Sequence, residues 1–179
     1  IENSLTTLGK QDPVSEYNTE LWNAGGEGSP QRAQARAQKR KLSYYSNIYV
    51  VSDPTHPENE GRVFLYKYGK KIFDKLVEAM QPAFADEKAL DPFNFWEGAD
   101  FKLKIRKVDG YWNYDKSEFS APAPLLKDDA KLESIWKQAY SLADFEAPKN
   151  FKSYEKLKAR LDLVLGITAA PTPDPIDES

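Results

Sequence analysis

The chain has 179 residues, 40% of them hydrophobic and 30% charged, with a formal net charge of −3, one histidine and no cysteine. Such a chain can bury about two-thirds of the surface its unfolded form exposes, which predicts a soluble globular protein of one domain, or of one domain with a small lobe. The missing cysteine removes disulfides, thiol nucleophiles and thiolate metal sites, His56 alone supplies neither the usual zinc sites nor a Ser-His-Asp triad, and no apolar run approaches the roughly 20 residues of a membrane span.

The chain opens on Ile1 without a charged-then-apolar leader, so export is not expected. Residues 1–31 are polar and turn-rich and end in Asn23-Ala-Gly-Gly-Glu-Gly-Ser-Pro30, which predicts a mobile loop that adds little to a core. Gln31 to Gln38 alternates Arg, Ala and Gln, a helix-forming composition too short to choose between helix and loop. Leu42 to Val51 is dense in aromatic and β-branched residues and stops at Asp53-Pro54, as a strand does. A second strand is predicted from about Arg62 to Tyr68, with Phe64, Tyr66 and Tyr68 on one face and Val63 and Leu65 on the other. Ile72, Phe73, Leu76, Val77 and Met80 then recur at helical spacing.

From Phe101 to Val108, Phe101, Leu103 and Ile105 alternate with Lys102, Lys104 and Arg106, the pattern of a strand with one core face and one cationic face. Asp109-Gly110 signals a two-residue hairpin, and Tyr111 to Tyr114 begins the return strand. Beyond Ala121-Pro-Ala-Pro124 two helices are predicted, one with Leu132, Ile135, Trp136 and Ala139 on its apolar stripe, the other with Tyr154, Leu157, Leu161 and Val164. Asp128 or Asp129 and Ser153 serve as N-caps, and Gly166 ends the second helix. Trp96 and Trp136 are expected in the core. The residues after Ala170 have no pattern that folds.

Mapping the charge reverses the impression left by the net value. Between Arg32 and Lys71 stand nine Lys or Arg against three acids, a local balance of +6, so the remainder carries −9. A basic surface on an otherwise acidic body concentrates polyanions at one place. Holding single strands regardless of sequence takes cations that follow the phosphates and aromatic faces on which any base stacks. Both occur in the same segments: Lys39-Arg40-Lys41 leads into Tyr44-Tyr45, Tyr66-Lys67-Tyr68 precedes Lys70-Lys71, and the cationic strand precedes Tyr111 and Tyr114. Aromatics in strands usually pack against neighbours, and lysines on outer faces usually only keep a sheet soluble; the clustering is what favours a ligand. The competing reading is a protein-interaction module whose aromatic and basic sheet face captures a partner peptide. A metal-dependent nuclease ranks last because the acids are scattered rather than clustered.

The run from Lys39 to Pro54, KRKLSYYSNIYVVSDP, closely resembles the single-stranded DNA-binding (helix-destabilising) proteins of T-even-like bacteriophages. The resemblance continues from Pro57 to Lys75, returns at Trp96 to Lys104 and at Gly110 to Asp115, and persists more weakly to about Gly166. It implies an α+β fold, an OB-fold-type antiparallel β-barrel core with helical lobes, and sequence-independent binding of single-stranded DNA in a basic, aromatic-lined cleft, protecting unwound DNA in phage replication, recombination and repair. Residues 1–31 match the family's zinc lobe, 32–120 the OB-fold-type core, 121–168 C-terminal helices packed on it, and 169–179 a disordered tail or linker.

Tyr44, Tyr45, Tyr66, Tyr111 and Tyr114 fall on cleft aromatics, and Lys39, Arg40 and Lys67 on cleft cations. Lys41, Lys70 and Lys71 join them by chemistry, and Trp22 matches a further aromatic. The family's zinc cysteines correspond to Ser4 and to the Asp12-Pro-Val-Ser15 stretch, so no metal, and no cofactor, is expected. The implied partners are single-stranded DNA and phage replication and recombination proteins, with self-association along DNA in the full-length protein and no membrane. The implied location is the cytoplasm of the infected bacterial host.

Overall fold

A computed structural model describes residues 2–167, and the tail expected over 169–179 lies outside them. The chain forms two compact units that do not follow chain order: one joins the residues up to Lys41 with those from Ala143 on, and the other comprises Leu42–Leu142.

In the first unit, Asp12 accepts backbone hydrogen bonds from Val14 and Ser15 and Pro13 occupies the first turn, so a helix starts at once, α1 (Pro13–Ala24). The polar, turn-rich reading of residues 1–31 is corrected in one respect: a helix precedes the glycine-rich stretch, because the Asp12 cap and Pro13 start it locally whatever follows Ala24. Gly25 is needed there because a Cβ would stand 2.4 Å from Ser29 Oγ. Ser29 caps α2 (Pro30–Ala37), which decides the Gln31–Gln38 segment as largely helical. Ser153 and Gly166 bound α5 (Tyr154–Leu165) as anticipated. Among the described residues of this unit Leu5, Ala35 and Leu157 are buried, as is Pro13. Tyr154 donates to Glu16 at 2.6 Å, and Glu2 receives both Lys152 (2.7 Å) and Arg160 (3.0 Å).

The polar centre of this unit is Asp12, which is buried. One carboxylate oxygen accepts from the Leu5 amide (2.9 Å) and the Ser4 hydroxyl (3.0 Å), the other from the amides of Val14 (3.1 Å) and Ser15 (2.9 Å). Burial raises its pKa, but the hydrogen bonds from Ser15, Leu5 and Ser4 outweigh that cost and hold the carboxyl below its ordinary value.

The second unit contains β1 (Tyr44–Tyr49), β2 (Val63–Tyr68), α3 (Lys70–Met80), β3 (Phe101–Lys102), β4 (Arg106–Val108), β5 (Tyr111–Asn113), β6 (Glu118–Phe119) and α4 (Asp129–Lys137). The strands pair as three separate two-stranded antiparallel sheets, β1–β2, β3–β6 and β4–β5. The fold is thus mixed α+β, and among the described residues these pairs close no barrel. Asp109 and Gly110 both take positive φ (50° and 82°), making the predicted hairpin turn between β4 and β5. Asn47 pairs its side-chain amide with the backbone of Tyr140 in both directions (3.0 and 2.9 Å), tying β1 to the chain that follows α4.

Two expectations fail here. The strand predicted from Phe101 to Val108 is broken, because Ser117 Oγ accepts from the Lys104 amide (3.0 Å) and donates to its carbonyl (3.3 Å) and so ends ladder pairing. Leu103 and Ile105, expected in the core, are exposed. Trp96 and Trp136 are exposed as well, while Leu132 and Ile135 on the same stripe of α4 are buried.

Candidate nucleic-acid interface

Antiparallel pairing aligns Tyr44 with Tyr68, Ser46 with Tyr66 and Ile48 with Phe64, and residues directly opposite share a face. Tyr44, Tyr66, Tyr68 and Phe64 therefore lie on one side of β1–β2. Tyr45 pairs with Lys67 and lies on the other side with Asn47, Tyr49, Leu65 and Val63. On the first face the rings form a row. Tyr66 and Tyr68 stack at 5.6 Å, Tyr68 and Tyr44 at 5.9 Å, and Tyr44 lies nearly parallel to Phe73 of α3 at 3.9 Å. The Tyr68 hydroxyl and the buried Ser46 hydroxyl are 2.7 Å apart, which fixes the middle of the row. All four rings are half-buried, so packing orients them without removing them from solvent.

Burial pushes the Tyr66 phenol up, with Tyr114 and Tyr68 adding to the effect, so it stays neutral at physiological pH and Tyr114 is placed in its electrostatic neighbourhood. Cations border this region. Lys70 and Lys71 open α3; Lys70 bonds Asp74 one turn on at 2.7 Å, and Lys71 donates to Asn113 of β5 at 2.9 Å, linking the helix to the Tyr111–Asn113 strand. Lys67 stands 5.9 Å from the Tyr45 ring on the other face. Tyr111 is 79% exposed, and its neighbour Trp112 holds Lys107 over its ring at 5.1 Å. The hydrogen bond from Arg106 (2.9 Å) holds the Asp115 carboxyl down at a pKa of about 2, securing the chain just beyond β5.

Trp22, Lys39, Arg40 and Lys41 belong to the first unit. Trp22 sits on α1 beneath two guanidinium groups, Arg32 at 4.7 Å and Arg36 at 5.4 Å from its ring, and Arg32 also donates to the Trp22 carbonyl at 3.3 Å. Lys39, Arg40 and Lys41 are exposed in the chain between α2 and β1. Among the described residues no group of three or more His, Cys, Asp or Glu is placed to hold a metal ion.

A family model described as gp32 DNA binding protein like matches residues 1–165. The chain belongs to this family. It is a family of DNA-binding proteins rather than of enzymes. Two curated relatives are named single-stranded DNA-binding protein. The protein of Enterobacteria phage T2 is 37% identical over 177 residues, covering 94% of this chain and 56% of the relative; that of Enterobacteria phage T4 is 37% identical over 174 residues, covering 93% and 56%. The chain spans little more than half the length of these relatives.

Of the residues singled out from sequence, Tyr44, Tyr66, Tyr114, Lys70 and Lys71 gather around one face of the second unit, and Tyr45 with Lys67 marks the opposite face of the same strand pair. Tyr68 and Phe73, which complete the ring row, were not among the site residues. The alternation along β2 already placed Tyr68 beside Tyr66, whereas the meeting of Phe73 with Tyr44 depends on how α3 returns against β1, which no local pattern encodes. Trp112 and the Arg32–Trp22–Arg36 stack were also missed as paired features.

Proposed function

We propose that the chain binds single-stranded DNA without reading its sequence, through the ring row of Tyr66, Tyr68 and Tyr44 with Tyr114, through the exposed Tyr111 of β5, and through Lys39, Arg40, Lys41, Lys67, Lys70 and Lys71. The observation that carries this reading is the stacked, half-exposed row of rings bordered by lysines. A row of phenols offers π-faces to any base, and the lysines neutralise phosphates without distinguishing one base from another. Tyr45 would engage the strand from the other side of β1–β2, and Trp22, with its two arginines, would add a stacking station on the first unit. The names of the phage relatives support the same ligand.

The full role inferred from the resemblance is protection of unwound DNA in phage replication, recombination and repair, within the cytoplasm of the infected host. Replication and recombination proteins would be its partners, and the full-length protein would self-associate along DNA. On this reading residues 32–120 hold an OB-fold-type core, the C-terminal helices are its helical lobes, and residues 1–31 are the counterpart of the zinc lobe. A zinc ion does not fit that lobe. Ser4 and Ser15 offer hydroxyls where the family has thiolates, and both Asp12 oxygens already accept protein hydrogen bonds.

Titrating oligo(dT) against intrinsic fluorescence at several salt concentrations tests the proposal. Six phosphate-contacting cations predict a slope of log affinity against log salt of about −4, from about 0.7 per contact on single strands, with quenching as bases stack. A flat salt response, or equal affinity for duplex, overturns it.

A further inference from the structure

Within the second unit, the turn-rich segment from Asp91 to Trp96 and the exposed side of α4 enclose an open groove of about 540 Å³, within the range of ligand-binding sites. Its walls are aromatic: Phe93 is 52% exposed, Trp96 58% and Trp136 66%, over a floor that includes the buried Leu132. Exposed indoles cost free energy and rarely cluster on a surface that nothing covers. The rings are also held outward by built structure. Trp96 Nε1 donates to Asp129 at 3.1 Å, Asn94 receives the amides of Trp96 (2.9 Å) and Glu97 (3.0 Å), and Gly98 closes the turn where a Cβ would stand 2.3 Å from the Asn94 carbonyl.

The charge of the groove is opposite to that of the tyrosine face. Its lining includes three carboxylates, Asp91, Asp129 and Glu133, and no Lys or Arg, and Lys137 pairs with Glu133 at 2.6 Å. Phosphates are repelled by such a lining, and the chain's own end, with Asp174, Asp177 and Glu178, has the wrong sign to fill it. We propose that this groove docks a partner protein through a segment in which lysine or arginine alternates with large apolar side chains. The apolar residues fill the space between Trp96 and Trp136, while the cations reach the three carboxylates and the indole faces. Tryptophan-lined pockets ringed by polar groups are where binding energy concentrates in protein interfaces. The inference stands on this surface alone and does not depend on DNA binding elsewhere.

The test uses three synthetic peptides of equal length, alternating leucine with lysine, leucine with glutamate, and serine with lysine, added to 15N-labelled protein. The four tryptophans provide internal controls: with the leucine–lysine peptide, the indole N–H signals of Trp96 and Trp136 shift while those of Trp22 and Trp112 stay in place. Trp136→Ala, an exposed change that leaves the core intact, weakens that binding at least tenfold, and Asp91→Asn with Glu133→Gln weakens it about fivefold; both leave oligo(dT) affinity unchanged. Equal binding of the leucine–glutamate or serine–lysine peptide overturns the proposal. So does loss of oligo(dT) affinity in Trp136→Ala, which would assign the groove to DNA, or a sedimentation shift to dimer that Trp136→Ala abolishes, which would assign it to a second copy.

Discussion

The Asp12 centre of the first unit and the ring row of the second both order a region with little apolar core, and they do so in opposite ways. Asp12 gathers four donors onto one buried carboxylate and leaves neither oxygen for a ligand. The ring row orders Tyr44, Tyr66 and Tyr68 by stacking: Tyr44 and Tyr68 each meet two rings and Tyr66 one, yet all three stay half-exposed. A hydrogen-bonded charge therefore makes a closed centre, while stacked aromatics make an ordered surface that remains open to a planar ligand. Resemblance assigns a metal to the first region and DNA to the second; both Asp12 oxygens already accept protein hydrogen bonds, whereas the rings of the second region stay half-exposed.

Removing the closed centre has the largest effect. Asp12→Ala strands the buried Leu5 amide and the first-turn amides of α1, at a cost of about 3 kcal/mol. Hydrogen exchange should show protection lost around Leu5 and through α1 while the β1–β2 amides keep theirs; uniform loss would mean the two regions do not differ as described. The pH dependence has a defined sign. The Asp12 pKa is lowered in the folded state, so its stabilisation is complete above the ordinary carboxylate value and is lost as pH falls through the folded value. Acid titration of Asp12→Asn by circular dichroism should show that part of the acid-side loss removed.

Opening the ring row ranks next. Tyr66→Ala should weaken oligonucleotide binding by about 1–3 kcal/mol, equally for oligo(dT) and oligo(dA), with little change in melting temperature because the residue is only half-buried. A loss confined to one base would mean that the row reads sequence. Ser153→Ala removes the hydroxyl that accepts the Lys156 amide at the start of α5 and should cost about 1 kcal/mol by denaturant titration, a local effect that leaves DNA affinity unchanged.

Features specified within a few residues were legible in the sequence. Asp128 and Ser153 cap their helices, Gly166 ends α5 in a left-handed conformation, and Asp109-Gly110 makes its turn, because each depends on the geometry of its immediate neighbours. The alternation that separates Tyr66 and Tyr68 from Leu65 held for the same reason. What failed was decided at a distance. Ser117 intercepts Lys104 thirteen positions away, so a strand-like alternation did not become one strand. Trp136 shares an apolar stripe with Leu132, yet the space beside it is left open. The site was half legible: its residue types, their clustering and the division of the adjacent Tyr44 and Tyr45 between two faces follow from a strand there, but that Tyr44 is the one sharing a face with Tyr66 and Tyr68 shows only once β1 is paired with β2.

That division yields the smallest effect and the sharpest test of how DNA would lie. Lys67 and Tyr45 stand on the face of β1–β2 opposite the ring row, whereas Lys71 reaches toward β5 through Asn113. If a bound strand folds around the edge of the pair and uses both faces, Lys67→Gln and Lys71→Gln should each reduce the magnitude of the salt slope by about 0.7, with only a modest change in affinity at physiological salt. A slope that responds to Lys71→Gln and ignores Lys67→Gln would confine the phosphates to the ring-row face. Tyr45 would then be a packing residue with Lys67 over its ring, and Tyr45→Ala should leave oligo(dT) affinity untouched.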